Sequence, residues 1–190
     1  EEDCHDGRCG LLDISVDDNF AYTIASPLVP GPTRSYVLTF RAKIEDAEDK
    51  DQFGAIFSAD RDQYTCPGDN TDYCFNKYYE VLGRYRDDDG KYFEYRIRRV
   101  FAHDENNTEQ FEELVEWTRV EGVTAGDWSK WEIDFRASGH LYVKVDNKEQ
   151  PAYARDNDYG EQRYFGLIGR TNEESGLLVH FDDMKIEKAD

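Results

Sequence analysis

The sequence predicts an all-β fold, one antiparallel β-sandwich, on three observations. The first is alternation. Trp131, Ile133 and Phe135 interleave with Glu132, Asp134 and Arg136, and Leu141, Val143 and Val145 interleave with Tyr142, Lys144 and Asp146. A period of two puts one set of side chains on one face, as in a strand with one side in a core. The second is composition: 13 Tyr and 11 Phe in 190 residues, residue types that suit a pleated, half-buried surface. The third is punctuation by turn-forming clusters, with no internal repeat and no low-complexity linker. A chain of this length can bury a full core as one domain.

The elements follow in order. Residues 1–10 are charged, small and cysteine-bearing, and read as a tail or clip. Leu11 to Ile24 alternates imperfectly through Leu12, Ile14 and Val16 and passes a turn or bulge at Asp17, Asp18 and Asn19. Pro27, Pro30 and Pro32 make the next segment a rigid loop, since proline is excluded from central strands. Tyr36 to Ile44 reads as a strand with Tyr36, Leu38, Phe40, Ala42 and Ile44 on one side and Val37, Thr39 and Arg41 on the other. The acidic run from Glu45 to Asp51 is a solvated loop, and Phe53 to Ala59 a short apolar strand. A loop from Asp60 to Asn76 follows. Tyr78 to Arg86 and Lys91 to Phe101 form a hairpin about Asp87, Asp88, Asp89 and Gly90. In Phe111 to Val120, Phe111, Leu114 and Val115 fit helical spacing, whereas Val115, Trp117 and Arg119 fit a strand. The hairpin-like loop before this segment favours the strand. From Gly126 to Ile186 the chain reads as an antiparallel meander. A hairpin loop, Ala137 to His140, joins its first two strands, with Gly139 where a positive φ is needed. A polar turn region then leads to strands at Tyr164 to Arg170 and Leu177 to Ile186.

Four segments of this stretch carry a resemblance: Trp128 and Trp131 with Glu132 and Ile133; Gly139, Leu141, Val143, Val145 and Asp146; Gly166 to Gly169; and Phe181 to Ile186. Together they resemble the closing half of concanavalin A-like (laminin G-like) jelly rolls. The resemblance covers about a third of the chain well. It implies a jelly-roll sandwich, an architecture shared by many carbohydrate-binding modules and some polysaccharide-degrading enzymes. It also implies a structural Ca2+ between an early acid and the aspartate of the closing strand. Asp182 matches that position, with Asp17 or Asp18 as the partner.

The net charge of −19 argues against nucleic acid or an anionic membrane as a general partner. It fits solubility in a salty or extracellular setting, or cation binding by carboxylate clusters. No run of 18 apolar residues offers a membrane-spanning segment. The chain starts at Glu1, as a processed secreted protein would, and a trimmed chain would read the same. Cys4 with Cys9, and Cys66 with Cys74, are two local pairs without metal-ligand spacing. Both are expected as disulfides in an oxidising compartment, each contributing about 2–3 kcal/mol; the alternative is reduced thiols. Asn106, followed by Asn107 and Thr108, fits an N-glycosylation sequon.

Five constellations could carry chemistry. On the second strand of the central hairpin Tyr92, Glu94, Arg96 and Arg98 face one way, and on its partner Arg84 and Arg86 share a parity with Glu80. Such a face could hold the carboxylates or sulfates of an acidic glycan, because guanidinium pairs with oxyanions through two parallel hydrogen bonds. Its bland reading is a lattice of cross-strand Arg–Glu pairs. Glu132 and Asp134 on one strand face suggest a glucanase pair, but a third acid is required two positions on, where Arg136 stands. A lyase needs a base beside neutralising groups, for which His103, Tyr95 and Arg98 are near in sequence. Calcium could be held by Asp17, Asp18 and Asp182, although aspartate is also simply a good turn former. Among Trp117, Trp128, Tyr64, Tyr73, Tyr78, Tyr153 and Tyr159, in or near loops, Trp128 is expected in the core. Tyr153 and Tyr159 are expected as rings on which sugars stack. The reading that emerges is a non-catalytic extracellular glycan-binding sandwich whose partner is a polysaccharide or glycoconjugate. The alternative is a structural subunit of a secreted filament or surface layer, assembled with copies of itself by strand exchange or calcium. A polysaccharide lyase or hydrolase is the third.

Overall fold

The computed structural model of the protein describes residues 10–14, 20–25, 35–45, 51–61, 75–86, 92–103, 109–120, 127–159, 164–170 and 177–189. They form thirteen strands: β1 (Gly10–Ile14), β2 (Phe20–Ala25), β3 (Tyr36–Glu45), β4 (Gln52–Arg61), β5 (Phe75–Arg86), β6 (Tyr92–His103), β7 (Glu109–Val120), β8 (Ser129–Phe135), β9 (His140–Val145), β10 (Lys148–Glu149), β11 (Ala154–Arg155), β12 (Tyr164–Arg170) and β13 (Leu177–Lys188). No helix occurs among the described residues, and so none long and apolar enough to cross a membrane.

Two antiparallel sheets face each other. One has seven strands in the order β1-β13-β3-β8-β9-β10, with β11 also on β9; the other has six, in the order β2-β12-β4-β5-β6-β7. Every expected strand is present, including Phe111 to Val120, which lies inside β7. The alternation of β3 holds: Tyr36, Leu38, Phe40, Ala42 and Ile44 are buried and the residues between them half-buried. Inward residues of both sheets make one aromatic-rich core. Trp131 of β8 lies parallel to Phe40, with ring centres 6.2 Å apart, and edge-on to Phe53 of the opposite sheet at 5.4 Å. Its indole N–H donates to Ser129 Oγ at 2.9 Å. Gly83 of β5 makes room for it: a Cβ there would sit 2.9 Å from Trp131 Cη2 and 3.0 Å from the Phe53 ring.

The expected meander is interrupted. β8 and β9 do pair as a hairpin, with Gly139 at φ +80° in its loop. β12 instead lies in the six-stranded sheet between β2 and β4, and β13 lies between β1 and β3. The reason is burial. β12 is buried along Phe165 to Gly169, and a strand covered on both faces belongs in a sheet interior. Continuing the meander would put it beside β10, whose two residues are exposed. The polar turn region also contains β10 and β11, too short to show a period.

Residues 151–159 cross from one sheet to the other and are fastened to the six-stranded sheet. Tyr95 Oη donates to Ala152 O at 2.7 Å and accepts from Ala152 N at 3.1 Å. Arg99 pairs with Asp156 at 2.8 Å, with Glu112 at 2.5 Å and with Asp158. Tyr79 Oη donates to Asp156 and accepts from Tyr159 N at 3.3 Å. Burial pushes the Tyr95 hydroxyl up to about 12. Burial, then the bond to Asp156, raises that of Tyr79. Burial would lower the Arg99 guanidinium, but the carboxylates around it raise it.

Candidate functional site

The arginine face exists as the strand parity predicts. Phe93, Tyr95 and Ile97 enter the core, while Glu94, Arg96 and Arg98 stand on the outer side of the six-stranded sheet with Glu80, Arg84 and Arg86. The face has two zones. Around its centre Ile56, Tyr78, Leu82, Val100 and Ile168 form a second apolar cluster, closed to solvent. Glu80 lies here at 0% exposure, accepting from Arg98 at 3.5 Å and from Arg170 at 2.8 Å. Arg96 and Arg98 are also buried and share Glu113, at 3.3 and 2.9 Å; Arg96 in addition donates to Gln52 at 2.8 Å. An uncompensated charge in such a place costs several kcal/mol, so the lattice is what allows three charged groups, Glu80, Arg96 and Arg98, to be dry.

Toward the β5–β6 turn the face opens. Register places Arg170 opposite Gln52, Gln52 opposite Arg84, Arg84 opposite Glu94, and Glu94 opposite Arg119. One straight row thus crosses five strands, about 19 Å at the usual strand spacing. Its side chains are half-buried or, for Arg119, exposed. Arg84 donates through Nε and Nη2 to Glu94 Oε2, at 2.8 and 2.6 Å. Trp117 lies against both Arg84 (4.0 Å from ring centre) and Arg96 (4.5 Å), and Arg119 lies 4.4 Å over Tyr92. Each contact is favourable through the quadrupole of the ring, and each holds a guanidinium in a fixed plane.

Of the sequence-predicted residues, Arg84, Arg86, Tyr92 and Glu94 therefore reach the surface together, and Arg96 and Arg98 lie beneath and position them. Arg119, Arg170, Gln52 and Glu113 were not anticipated, and Trp117, expected as a ring in or near a loop, was not expected on this face. Arg170 and Gln52 join the row only through the β12–β4–β5 pairing, which is not local. Trp117 and Val115 share a sequence parity yet point opposite ways, because β7 is irregular in register against Tyr95, Ile97 and Arg98. Those bulges also explain the mixed helical and strand spacing of this segment.

Other expectations are placed elsewhere. Tyr153 is exposed, at 55%, but lies on the seven-stranded sheet, away from the row. Tyr159 is not a surface ring. It is buried, with its ring 5.2 Å from that of Tyr79, because the pinned segment 151–159 folds it inward. Trp128 is half-buried rather than in the core and meets His180 edge-on at 6.5 Å. Glu132 and Asp134 share the outer face of β8, each held by a cation: Glu132 by Lys144 at 2.7 Å and Asp134 by Arg136. His103 ends β6. Asp182 accepts the N–H of Asp183 at 2.8 Å, at a bulge where Asp183 has φ +52°. Asp17, Asp18, Cys4, Cys9, Cys66, Cys74 and Asn106 lie outside the described residues. Among the described residues no group of three or more His, Cys, Asp or Glu side chains is placed to hold a metal ion.

No family model and no curated protein sequence matches the chain. Among solved structures it is similar to the carbohydrate-binding module CBM66 from Bacillus subtilis, at 10% identity over 90% of this chain and 83% of that one, with a TM-score of 0.56. It is also similar to a substrate-bound family 7 alginate lyase, A1-II′, at 10% identity over 97% and 79% of the two chains, with a TM-score of 0.54. At such identity the likeness shows the fold, a concanavalin A-like jelly roll, and leaves function to the residues.

Proposed function

We propose that the protein is a non-catalytic β-sandwich that acts outside the cell and binds acidic polysaccharide through the row of Arg170, Gln52, Arg84, Glu94 and Arg119. The observation that carries this reading is the row itself: three guanidiniums and one carboxylate in register across five strands, half-buried or, for Arg119, exposed, in a chain of net charge −19. Arg119, over Tyr92 and without an ion pair among the described residues, can give the paired hydrogen bonds that a uronate carboxylate accepts, while Arg84, whose Nε and Nη2 are taken by Glu94, offers Nη1; pre-organisation of both guanidiniums lowers the cost of binding. The similar solved structures, a carbohydrate-binding module and an alginate lyase, favour the saccharide class. Catalysis is disfavoured because Glu132 and Asp134 are both neutralised by cations on the other sheet, and the row contains no histidine. Self-assembly by strand addition is disfavoured at β7, the outer strand of its sheet, where Glu112, Glu113 and Glu116 are exposed and guard the edge.

The test is calorimetric titration with oligogalacturonate and oligomannuronate, against uncharged oligosaccharides of equal length. Arg84→Gln and Arg119→Gln should each weaken acidic-oligomer binding about tenfold, equivalent to about 1.4 kcal/mol, and Arg136→Gln on the opposite sheet should leave it unchanged. Acidic-oligomer binding left unchanged by both Arg84→Gln and Arg119→Gln would remove the reading, and release of unsaturated products would replace it with lysis.

A further inference from the structure

The seven-stranded sheet carries a second surface of different chemistry. Leu141, Val143 and Val145 of β9 enter the core, which turns His140, Tyr142 and Lys144 outward. Ala154 of β11, also in the core, lies opposite Leu141, so Tyr153 and Arg155 flank the same outer face. Three rings meet there. Tyr142 and Tyr153 are 5.4 Å apart at 28°, His140 and Tyr142 6.0 Å at 12°, and His140 and Tyr153 6.0 Å at 39°. Of the large apolar side chains that are exposed, Tyr153 is the most exposed. Among the described residues most other rings are interior, so a group of rings held at the surface is a feature that packing does not require.

The surroundings are built rather than loose. Ser138 Oγ is 2.8 Å from His140 Nδ1, Arg136 N donates to His140 O at 2.8 Å, and Asp156 N donates to Gly139 O at 2.8 Å. Asp134 stands directly opposite Tyr142, and only 6% of it is exposed. One of its oxygens takes Arg136, while the other, Oδ1, is buried without any hydrogen-bond partner. A buried acceptor left unmade is costly and calls for a donor. Arg155, opposite His140, is exposed and has no ion pair or side-chain hydrogen bond among the described residues. Asp134 with Arg136, and Glu132 with Lys144, are closed pairs, which leaves Arg155 as the unpaired charge beside the rings.

Exposed rings, a free donor at the rim and otherwise paired charges together match a pyranose. Its C–H faces stack on aromatic rings, and its hydroxyls both donate and accept. We propose that His140, Tyr142 and Tyr153, flanked by Asp134 and Arg155, form a second saccharide-binding surface that takes an uncharged polysaccharide chain. It lies on the opposite sheet from the arginine row and does not depend on that row. With both surfaces occupied, one domain joins an uncharged chain to an acidic one.

The experiment uses the full chain labelled with 15N, titrated with cellohexaose, mannohexaose, xylohexaose and maltohexaose, and separately with hexagalacturonate. At least one uncharged hexasaccharide should bind saturably and shift the amides of residues 140–142 and 153–155. Tyr153→Ala and Tyr142→Ala should each weaken that binding about tenfold or more. Arg84→Gln and Arg119→Gln should not change it. Tyr153 is exposed, so Tyr153→Ala is expected to keep the native amide spectrum even if Tyr142→Ala does not. Absence of shifts at those amides with all four probes overturns the proposal. So does binding that survives Tyr153→Ala, or shifts there that only hexagalacturonate produces. Failure of the arginine row to bind hexagalacturonate leaves this surface unaffected, so the two readings fail separately.

Discussion

Glu80→Gln is the substitution that most directly tests whether the arginine lattice holds the fold together. Glu80 has no solvent exposure, and its two oxygens meet Arg170 at 2.8 Å and Arg98 at 3.5 Å. At an effective dielectric constant of about 20 these contacts are worth about 6 and about 5 kcal/mol of gross attraction. Desolvation of the carboxylate offsets most of that sum. What remains on removing one partner of a buried pair is about 3–5 kcal/mol, because the cations stay behind uncompensated. Glutamine keeps the shape and one acceptor, so the loss is electrostatic rather than a cavity. With a urea dependence of about 2 kcal/mol per molar, the midpoint of unfolding should fall by about 1.5–2.5 M with an unchanged slope. Glu94→Gln, which breaks the part-buried pair with Arg84, should cost less, about 1–2 kcal/mol. Unfolding would be followed by tryptophan fluorescence. A midpoint for Glu80→Gln within about 0.5 M of the parent, or equal to that of Glu94→Gln, would refute the view that the closed centre differs from an ordinary surface lattice.

Two further outcomes are expected. Gly83→Ala should destabilise by about 1–3 kcal/mol in the same assay, because its Cβ would press on two packed rings, Trp131 and Phe53; a neutral result would mean that the rings can shift. Tyr95 holds its proton more tightly when folded, up to about 12 against about 10 in the unfolded chain, so its contribution is complete below pH 10 and lost as pH rises toward 12. Unfolding midpoints should drop between about pH 10 and about pH 12, and less so in Tyr95→Phe, which starts about 1–3 kcal/mol lower for want of the bonds to Ala152. Equal pH slopes in the two proteins would exclude this origin.

The strands were legible because each has a face in one core, and a two-residue period survives in sequence wherever a sheet is covered on one side. The six-stranded sheet shows how far that goes. Parity alone assembled Arg84, Arg86, Glu94, Arg96 and Arg98 on one face, since β5 and β6 pair without irregularity from Tyr78 to Arg86. It lost Trp117 and Arg119, since bulges in β7 reset the parity, and it lost Arg170, since nothing local says that β12 neighbours β4. Burial was the other blind spot. Tyr153 and Tyr159 look alike in a polar stretch, yet Asp156, held by Arg99 and Tyr79, turns one ring outward and the other into the core. The distinction depends on an arginine 57 positions away in sequence.

The arginine row has to attract an anionic polymer from within a protein that repels one, and this fixes how its binding must depend on salt. On the outer face Arg84, Arg86, Arg96, Arg98, Arg119 and Arg170 stand against Glu80, Glu94 and Glu113, a local surplus of three positive charges, whereas the chain carries −19. The surplus acts at contact distance and the net charge acts from all over the molecule. At about 0.01 M ionic strength the screening length is about 30 Å, so the whole negative surface opposes the approach of a polyuronate. At about 0.1 M it is about 10 Å, which removes most of that repulsion but leaves half-buried contacts little affected. Near 1 M it is about 3 Å, and the contacts at the exposed Arg119 weaken too. Affinity for oligogalacturonate should therefore pass through a maximum near physiological ionic strength rather than fall steadily, as it would for a uniformly basic binder. A steady fall from the lowest salt upward would mean that the row governs the field on its own, and a steady rise would mean that the polymer is held by contacts other than guanidinium pairs.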